Sequence, residues 1–172
     1  MIPSSHKLDQ NILTFLTIGD WSNDGHNMSD KIYYHVNYPV EDIRQAYKDS
    51  CRKTGVQFNH NANYTGVGSP NCYDQILTEY SNNSIRPHEN KILREHNVIT
   101  DTWLSERKLE ETEDHYICMT EPKDVADLIM RFISISMPKD FTYTETTVNA
   151  TPINGWWNDQ LNCQFGYGIY YD

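Results

Sequence analysis

The chain has 172 residues, which is the usual size of one domain and enough to bury a hydrophobic core without disulfide bonds or bound metal. Its formal net charge of −10 disfavours binding to nucleic acids and anionic membranes, because both carry negative charge. Aromatic residues make up 12% of the sequence, so enough large apolar side chains are present to exclude disorder of the whole chain.

The cysteine pattern and the N-terminus predict where the protein resides. The four cysteines are widely spaced and form no C-x-x-C pair, which indicates free thiols in a reducing compartment. The N-terminal residues lack the charged and apolar regions of a secretory signal, and no apolar run reaches membrane-spanning length. We therefore expect a cytoplasmic protein with no membrane association. It is predicted to fold as a single domain over residues 1–172, with residues 1–10 as a flexible lead.

The first half of the chain predicts two strands followed by a helix. Residues 12–18 form an apolar, β-branched run, and residues 31–38 form a second run that ends before a proline. These two strands are predicted to pair as a hairpin. Residues 40–53 carry an apolar stripe at helical spacing, with acidic residues in the first turn, basic residues in the last and Gly55 beyond. This pattern predicts a helix.

The second half predicts shorter elements that complete an α+β fold. After an irregular loop, the patterns predict helices at 71–80 and 87–96, a minor helix at 101–110, a strand at 115–119, a helix over 121–137 capped by Thr120, and strands at 141–148 and 163–171. The order is roughly ββαααβαββ. Because regular βαβ alternation is missing, we expect a mostly antiparallel sheet with helices packed on one face.

One loop has the spacing of a metal-binding segment. Asp20, Ser22 and Asp24 alternate ahead of a glycine, as oxygen ligands do in the first half of a calcium loop. The twelfth position is Lys31 instead of a bidentate Glu, so a standard EF-hand is excluded. The loop predicts a modified site for Ca²⁺ or another divalent cation, completed by a distant carboxylate, with Asp30 as a further candidate ligand. The alternatives are a turn held by side chain to backbone hydrogen bonds without an ion, and a binding or catalytic loop in which Trp21 and His26 contact a ligand.

The same loop carries a family resemblance. It reads Gly-Asp-Trp-Ser-x-Asp-Gly-His over residues 19–26, and Gly-Tyr-Gly-Ile follows at residues 166–169. In these two segments the chain resembles an uncharacterised family of small bacterial and viral proteins, a resemblance that implies no chemistry. The Gly-Asp-Trp sequence is also similar to the opening motif of metallophosphoesterases. The chain lacks their later G-D-x-x-D and Gly-Asn-His motifs, so membership of that family is excluded.

An acidic stretch and several tryptophans are candidates for a contact surface. Residues 101–127 contain nine carboxylates and three basic side chains, with the highest density at Glu110, Glu111, Glu113 and Asp114. These acids form either solvated helical faces or a docking surface for a basic protein. Trp21, Trp156 and Trp157 are further candidates. The adjacent pair cannot both face the core if extended, and an exposed tryptophan is a common interface anchor.

Three functions fit these patterns. The first, which we favour, is a stoichiometric protein-binding or inhibitory module without enzymatic activity, acting through the acidic residues and exposed tryptophans. The second is a metal-dependent hydrolase or phosphoesterase-like enzyme, in which His26, His35 and His60 converge on the metal loop. The third is a sponge for a small ligand or nucleotide, lined by Trp21, Tyr34 and the tyrosine-rich C-terminus.

Overall fold

The computed structural model describes residues 1–18, 20–21, 30–56, 58, 84–119, 121–147, 163–166 and 169–170. The helix predicted at 71–80 lies outside these residues. No helix among the described residues is long and apolar enough to cross a membrane.

The described elements form an α+β fold, which confirms the predicted class. In chain order they are a 3-10 helix (Ser4–His6), β1 (Ile12–Ile18), β2 (Asp20–Trp21), β3 (Asp30–Val36), α1 (Val40–Thr54), β4 (Ser84–Ile85), α2 (Pro87–Glu95), α3 (Asp101–Glu106), β5 (Ile117–Cys118), α4 (Pro122–Ser134), β6 (Tyr143–Thr146), β7 (Cys163–Gly166) and β8 (Ile169–Tyr170).

The main sheet has the strand order β6-β3-β1-β7. Strands β1 and β3 pair antiparallel from Ile12 opposite Val36 to Ile18 opposite Asp30, which confirms the predicted hairpin. Strand β6 adds antiparallel to β3. Strand β7 instead pairs parallel with β1, so the sheet is mixed at that side. Strands β2 and β8 form a separate parallel pair, and β4 and β5 form an antiparallel pair.

One face of the main sheet is buried against helices. Thr14 and Leu16 of β1 and Tyr34 and Val36 of β3 are buried, whereas His35, which points to the opposite face, is exposed. Helix α4 contacts both β1 and β3, and helix α1 contacts α4 and β7. The buried face of the sheet and the apolar face of α4 therefore form the core.

Phe132 lies at the centre of the contact between α1 and α4. Its ring is fully buried and packs edge to face against Tyr47, with ring centroids 5.7 Å apart, and against Phe58 at 4.8 Å. The buried hydroxyl of Ser50 donates to the backbone oxygen of Phe132 at 2.9 Å and lies 2.7 Å from the hydroxyl of Ser136. These bonds fix the two helices at one register along their length.

Local backbone geometry sets the ends of the helices. The end of α1 agrees with the sequence prediction, whereas the end of α3 and the start of α4 do not. Helix α1 ends at Thr54 and is followed by Gly55, whose φ of 75° is the left-handed conformation typical of a residue that terminates a helix, as the sequence predicts. Helix α3 stops at Glu106, four residues earlier than predicted, and Lys108 adopts a positive φ of 56° that cannot continue a helix. The prediction that Thr120 caps α4 is wrong, because Glu121 occupies the cap position and Pro122 begins the helix.

The first ten residues, predicted as a flexible lead, contact the rest of the domain. Ile2 is buried in the core, and the backbone N–H of Leu8 donates to the oxygen of Asn37 at 2.8 Å. The imidazole of His6 lies 3.0 Å from the carboxylate of Asp42 in the first turn of α1. These contacts attach the segment to α1 and to the end of β3.

Replacing the central aromatic ring is expected to destabilise the domain strongly. Phe132→Ala should lower the free energy of unfolding by about 3–5 kcal/mol, because it removes buried apolar surface and leaves a cavity beside Tyr47 and Phe58. Urea denaturation followed by circular dichroism measures the change. Tyr116→Ala, at a ring that is 44% exposed, is the matched control and should cost about 1 kcal/mol or less. Equal losses in the two variants would contradict this assignment of the core.

Candidate functional site

Helix α2 and the acidic segment after α3 are brought together by a short strand pair. Ser84 and Ile85 of β4 lie opposite Cys118 and Ile117 of β5, and α2 follows β4 directly. An isolated bridge between Glu111 and Ile117 continues this pairing. The segment 109–116, which we call the acidic turn, is thereby folded back beside α2.

The acidic turn has a closed backbone. The N–H of Thr112 donates to the oxygen of Tyr116 at 2.9 Å, and the N–H of His115 donates to the oxygen of Thr112 at 2.9 Å. The hydroxyl of Thr112 accepts a further bond from the N–H of Tyr116 at 3.0 Å. His115 has a positive φ of 69°, which a non-glycine residue adopts only when its surroundings hold it there.

The surroundings that hold His115 form a network centred on Glu111. One oxygen of Glu111 accepts from the amide of Asn90 at 3.1 Å and from the guanidinium of Arg94 at 2.5 Å, and the other lies 2.9 Å from Nδ1 of His115. The Asn90 amide also donates to the backbone oxygen of His115, while its own oxygen accepts from Nε of Arg94. We call Asn90, Arg94, Glu111 and His115 the Glu111 network.

The network stabilises the charged form of Glu111. Hydrogen bonds from His115, Asn90 and Arg94 lower the pKa of Glu111 to about 2. Partial burial acts to lower the pKa of Arg94, but hydrogen bonds to Glu111 and Asp101 outweigh it and raise that pKa. Asn90 is only 3% exposed, so its amide is committed to these internal bonds. Glu111 is therefore an ionised, internally paired carboxylate that holds the acidic turn against α2.

The remaining acids of the turn face solvent. Glu110, Glu113 and Asp114 are exposed, and none of them forms an ion pair with another described residue. Tyr116, at the end of the turn, and Met1 are the exposed large hydrophobic side chains among the described residues. We call Glu110, Glu113, Asp114 and Tyr116 the acidic face. Glu111, which was predicted together with these acids as a binding residue, is half-buried and has both oxygens bonded within the network, so it is not included in the acidic face.

Two other acids of the stretch are structural. Asp124 and Asp127 of α4 lie 3.0 Å and 3.3 Å from the guanidinium of Arg107, and Asp127 also accepts from the indole N–H of Trp103 at 2.7 Å. On the same face of α4, Nε of Arg131 donates to the backbone oxygen of Val98 at 2.7 Å, and the guanidinium of Arg131 lies over the ring of Trp103. These contacts attach α3 and the loop before it to α4, so the acidic turn that follows α3 has a fixed base.

A cavity lies between α2 and the acidic turn. Its volume is about 540 Å³, which is in the range of small-molecule sites. The residues that line it are Pro87, His88, Asn90, Lys91, Arg94, Glu111 and His115. Three members of the lining, Asn90, Arg94 and Glu111, are fixed by mutual hydrogen bonds, so this wall of the cavity is already formed.

Only some of the predicted metal-site residues are among those that the structure describes. Asp20 and Trp21 form β2, opposite Ile169 and Tyr170, and Asp30 begins β3. Ser22, Asp24, His26, His60, Trp156 and Trp157 lie outside the described residues. Within the part of the chain that the structure describes, no group of three or more histidine, cysteine, aspartate or glutamate side chains is placed to hold a metal ion. The cation site at this loop stays a prediction.

The two remaining candidates lie on opposite faces of β3. His35 is exposed, opposite Leu13 and Thr144 in the neighbouring strands. Tyr34 is 1% exposed and packs edge to face against Tyr143, so it belongs to the core and not to an open ligand site. Burial raises the pKa of Tyr34 far above its ordinary value.

Comparison of the chain with models of protein families, with curated proteins and with solved structures gave no match. The resemblance of residues 19–26 and 166–169 to an uncharacterised family therefore stays a prediction. The proposals below therefore rest on the geometry of the acidic turn and of the cavity beside it.

The Glu111 network was missed from the sequence, although a weak signal was present. Asn90 and Arg94 are four residues apart on a predicted helix, and Glu111 and His115 are four residues apart in the acidic stretch. Each spacing allows a local pair. Their convergence depends on the β4–β5 pairing, which brings the two segments together and which no local pattern indicates.

The network predicts a defined pH dependence of stability. The pKa of Glu111 is lowered to about 2 in the folded protein. Its ionised carboxylate therefore contributes to the free energy of unfolding above the pKa of a free carboxyl, near 4, and this contribution is lost as the pH falls towards 2. The difference in unfolding free energy between the wild type and Glu111→Gln should therefore be largest above pH 5 and shrink towards pH 2. Urea unfolding across this range measures it.

Glu113→Gln is the matched control for this experiment, because it makes the same chemical change two residues away at an exposed side chain without an ion pair among the described residues. Its unfolding free energy should follow that of the wild type at every pH. If the unfolding free energy of Glu111→Gln also equals that of the wild type at every pH, the charge of Glu111 contributes nothing to stability.

Proposed function

We propose that the protein acts by stoichiometric binding to a basic protein partner, with the acidic face as the contact surface. The observation that carries the proposal is the division of the acidic turn into two sets of carboxylates. Glu111 is bonded to Asn90, Arg94 and His115, whereas Glu110, Glu113 and Asp114 are exposed and form no ion pairs with other described residues.

This division supports a binding role on energetic grounds. Three unpaired carboxylates within five residues repel one another, so they do not favour the folded state. A basic partner would relieve that repulsion. Negative potential concentrated at one turn also raises the rate at which a positively charged protein is captured.

The rigidity of the turn favours binding as well. Its backbone is closed by the hydrogen bonds of Thr112, and its underside is held by the Glu111 network. A surface already held in its bound shape loses little conformational entropy on association. Tyr116 adds an exposed aromatic ring beside the charges, and tyrosine is among the residues that contribute most at protein interfaces.

Neutralising the acidic face should weaken partner binding. In the variant Glu110→Gln, Glu113→Gln, Asp114→Asn, the affinity for the partner should fall about tenfold or more, because the long-range attraction is lost. The partner is first enriched on the immobilised full chain and then purified. Its affinity for wild type and variant is measured by calorimetry at low and at high salt, and the variant should show the weaker salt dependence.

A variant with the same loss of charge elsewhere serves as the control. Asp9→Asn, Glu41→Gln and Glu95→Gln remove three exposed carboxylates outside the acidic turn, and this protein should bind the partner nearly as tightly as the wild type. If both triple variants lose affinity equally, binding depends on net charge and not on the acidic face. If neither loses affinity, the contact surface lies elsewhere.

A further inference from the structure

The cavity between α2 and the acidic turn differs in character from the acidic face. Carbon dominates its wall, to which Pro87 and the side chain of Lys91 contribute. The polar atoms of Asn90, Arg94 and Glu111 in this wall are engaged with one another. A ligand would therefore meet apolar surface over most of its area and find free polar groups at only a few points.

The charges that remain free in the cavity are basic. Among the described residues that line it, Glu111 is the only acid, and its charge is paired with that of Arg94 within the network. Lys91 and His88 form no ion pair with any described residue. The side chains of Lys91, His88 and His115 thus line the same cavity in a chain whose net charge is −10.

The ring of His115 has one nitrogen bonded within the Glu111 network and the other available to a ligand. Its Nδ1 is bonded to Glu111, which fixes the ring, and its Nε2 has no hydrogen-bond partner among the described residues. Because Nδ1 donates to the Glu111 carboxylate, Nε2 can donate to an anionic ligand in the protonated form of the ring, and the bond at Nδ1 fixes the direction of that donor.

We propose that this cavity binds a small organic anion, a compound with one carboxylate or phosphate group on a flat apolar body. The anionic group lies near the ammonium of Lys91 and accepts from Nε2 of the protonated His115 ring, and the apolar body lies against Pro87 and the stem of Lys91. None of the residues of the acidic face is among the described residues that line this cavity.

Occupation of the cavity would also affect the turn above it. The residues that contact the anion include His115, whose backbone is held in the left-handed conformation by the network. A ligand that binds only the folded turn stabilises it by mass action. The acidic face would then be presented more rigidly when the cavity is filled.

Phenyl phosphate and benzoate are suitable probes, with benzyl alcohol as the uncharged analogue and inorganic phosphate as the analogue without an apolar body. Each is titrated into the ¹⁵N-labelled full chain to about 5 mM, a range that detects weak binding. Phenyl phosphate or benzoate should shift the amide resonances of residues 87–94 and 111–116 in a saturable manner. Benzyl alcohol and inorganic phosphate should bind at least fivefold more weakly.

Two single variants test the residues. Lys91→Gln removes the ammonium without touching the Glu111 network, so the fold is kept, and it should weaken binding of the preferred probe at least fivefold. His115→Gln should do the same. Lys139→Gln, which removes an exposed lysine near Met1 and Lys53 that does not line this cavity, should leave the affinity unchanged. Binding that survives both Lys91→Gln and His115→Gln would overturn the proposal, as would the absence of saturable shifts with either anion.

The test is independent of the proposed function. The variant that neutralises Glu110, Glu113 and Asp114 should bind phenyl phosphate at least as tightly as the wild type, because it removes negative charge near the cavity. A protein that binds phenyl phosphate but no basic partner would support the cavity and refute the partner surface. A protein that binds a basic partner but no organic anion would do the reverse.

Discussion

The burial of one face of α4 is the interaction on which the other parts of the structure depend. Phe132 connects this helix to α1, and α4 also contacts β1 and β3 of the main sheet. A different face of the helix carries the groups that hold the neighbouring segments: Asp127 binds Trp103 and Arg107, and Arg131 binds the backbone before α3. The acidic turn is therefore positioned by polar side chains on one face of a helix whose other face is in the core.

Local sequence patterns predicted an element correctly where residues within or next to that element determine its bounds and its pairing. Helix α1 was predicted to within one residue, because its charges and Gly55 mark both ends. The β1–β3 hairpin followed from two apolar runs close in sequence. The parallel partner of β1 was not predicted, since the periodicity of a strand reports which face is buried but not which strand lies beside it.

The site was predicted only in outline, for a different reason. The density of acids indicated a candidate contact surface at residues 110–114, and three of the four predicted acidic side chains are exposed there. Composition could not show that Glu111 turns inwards, because its partners Asn90 and Arg94 are fixed by tertiary contacts from α2. A count of carboxylates treats every acid as equivalent. In the folded protein, hydrogen bonds give Glu111 a structural role, whereas the neighbouring acids stay exposed.

The parallel pairing of β7 with β1 has a consequence for biosynthesis. Thr14 lies opposite Cys163, so one edge of β1 can be covered only after residue 163 has left the ribosome. Until then β1 and β3 form a ribbon with an open edge, and open edges promote association between chains. Pairing across so long a separation is also slow. The nascent protein would benefit from a chaperone at this edge, and a chain truncated before β7 would keep it uncovered permanently.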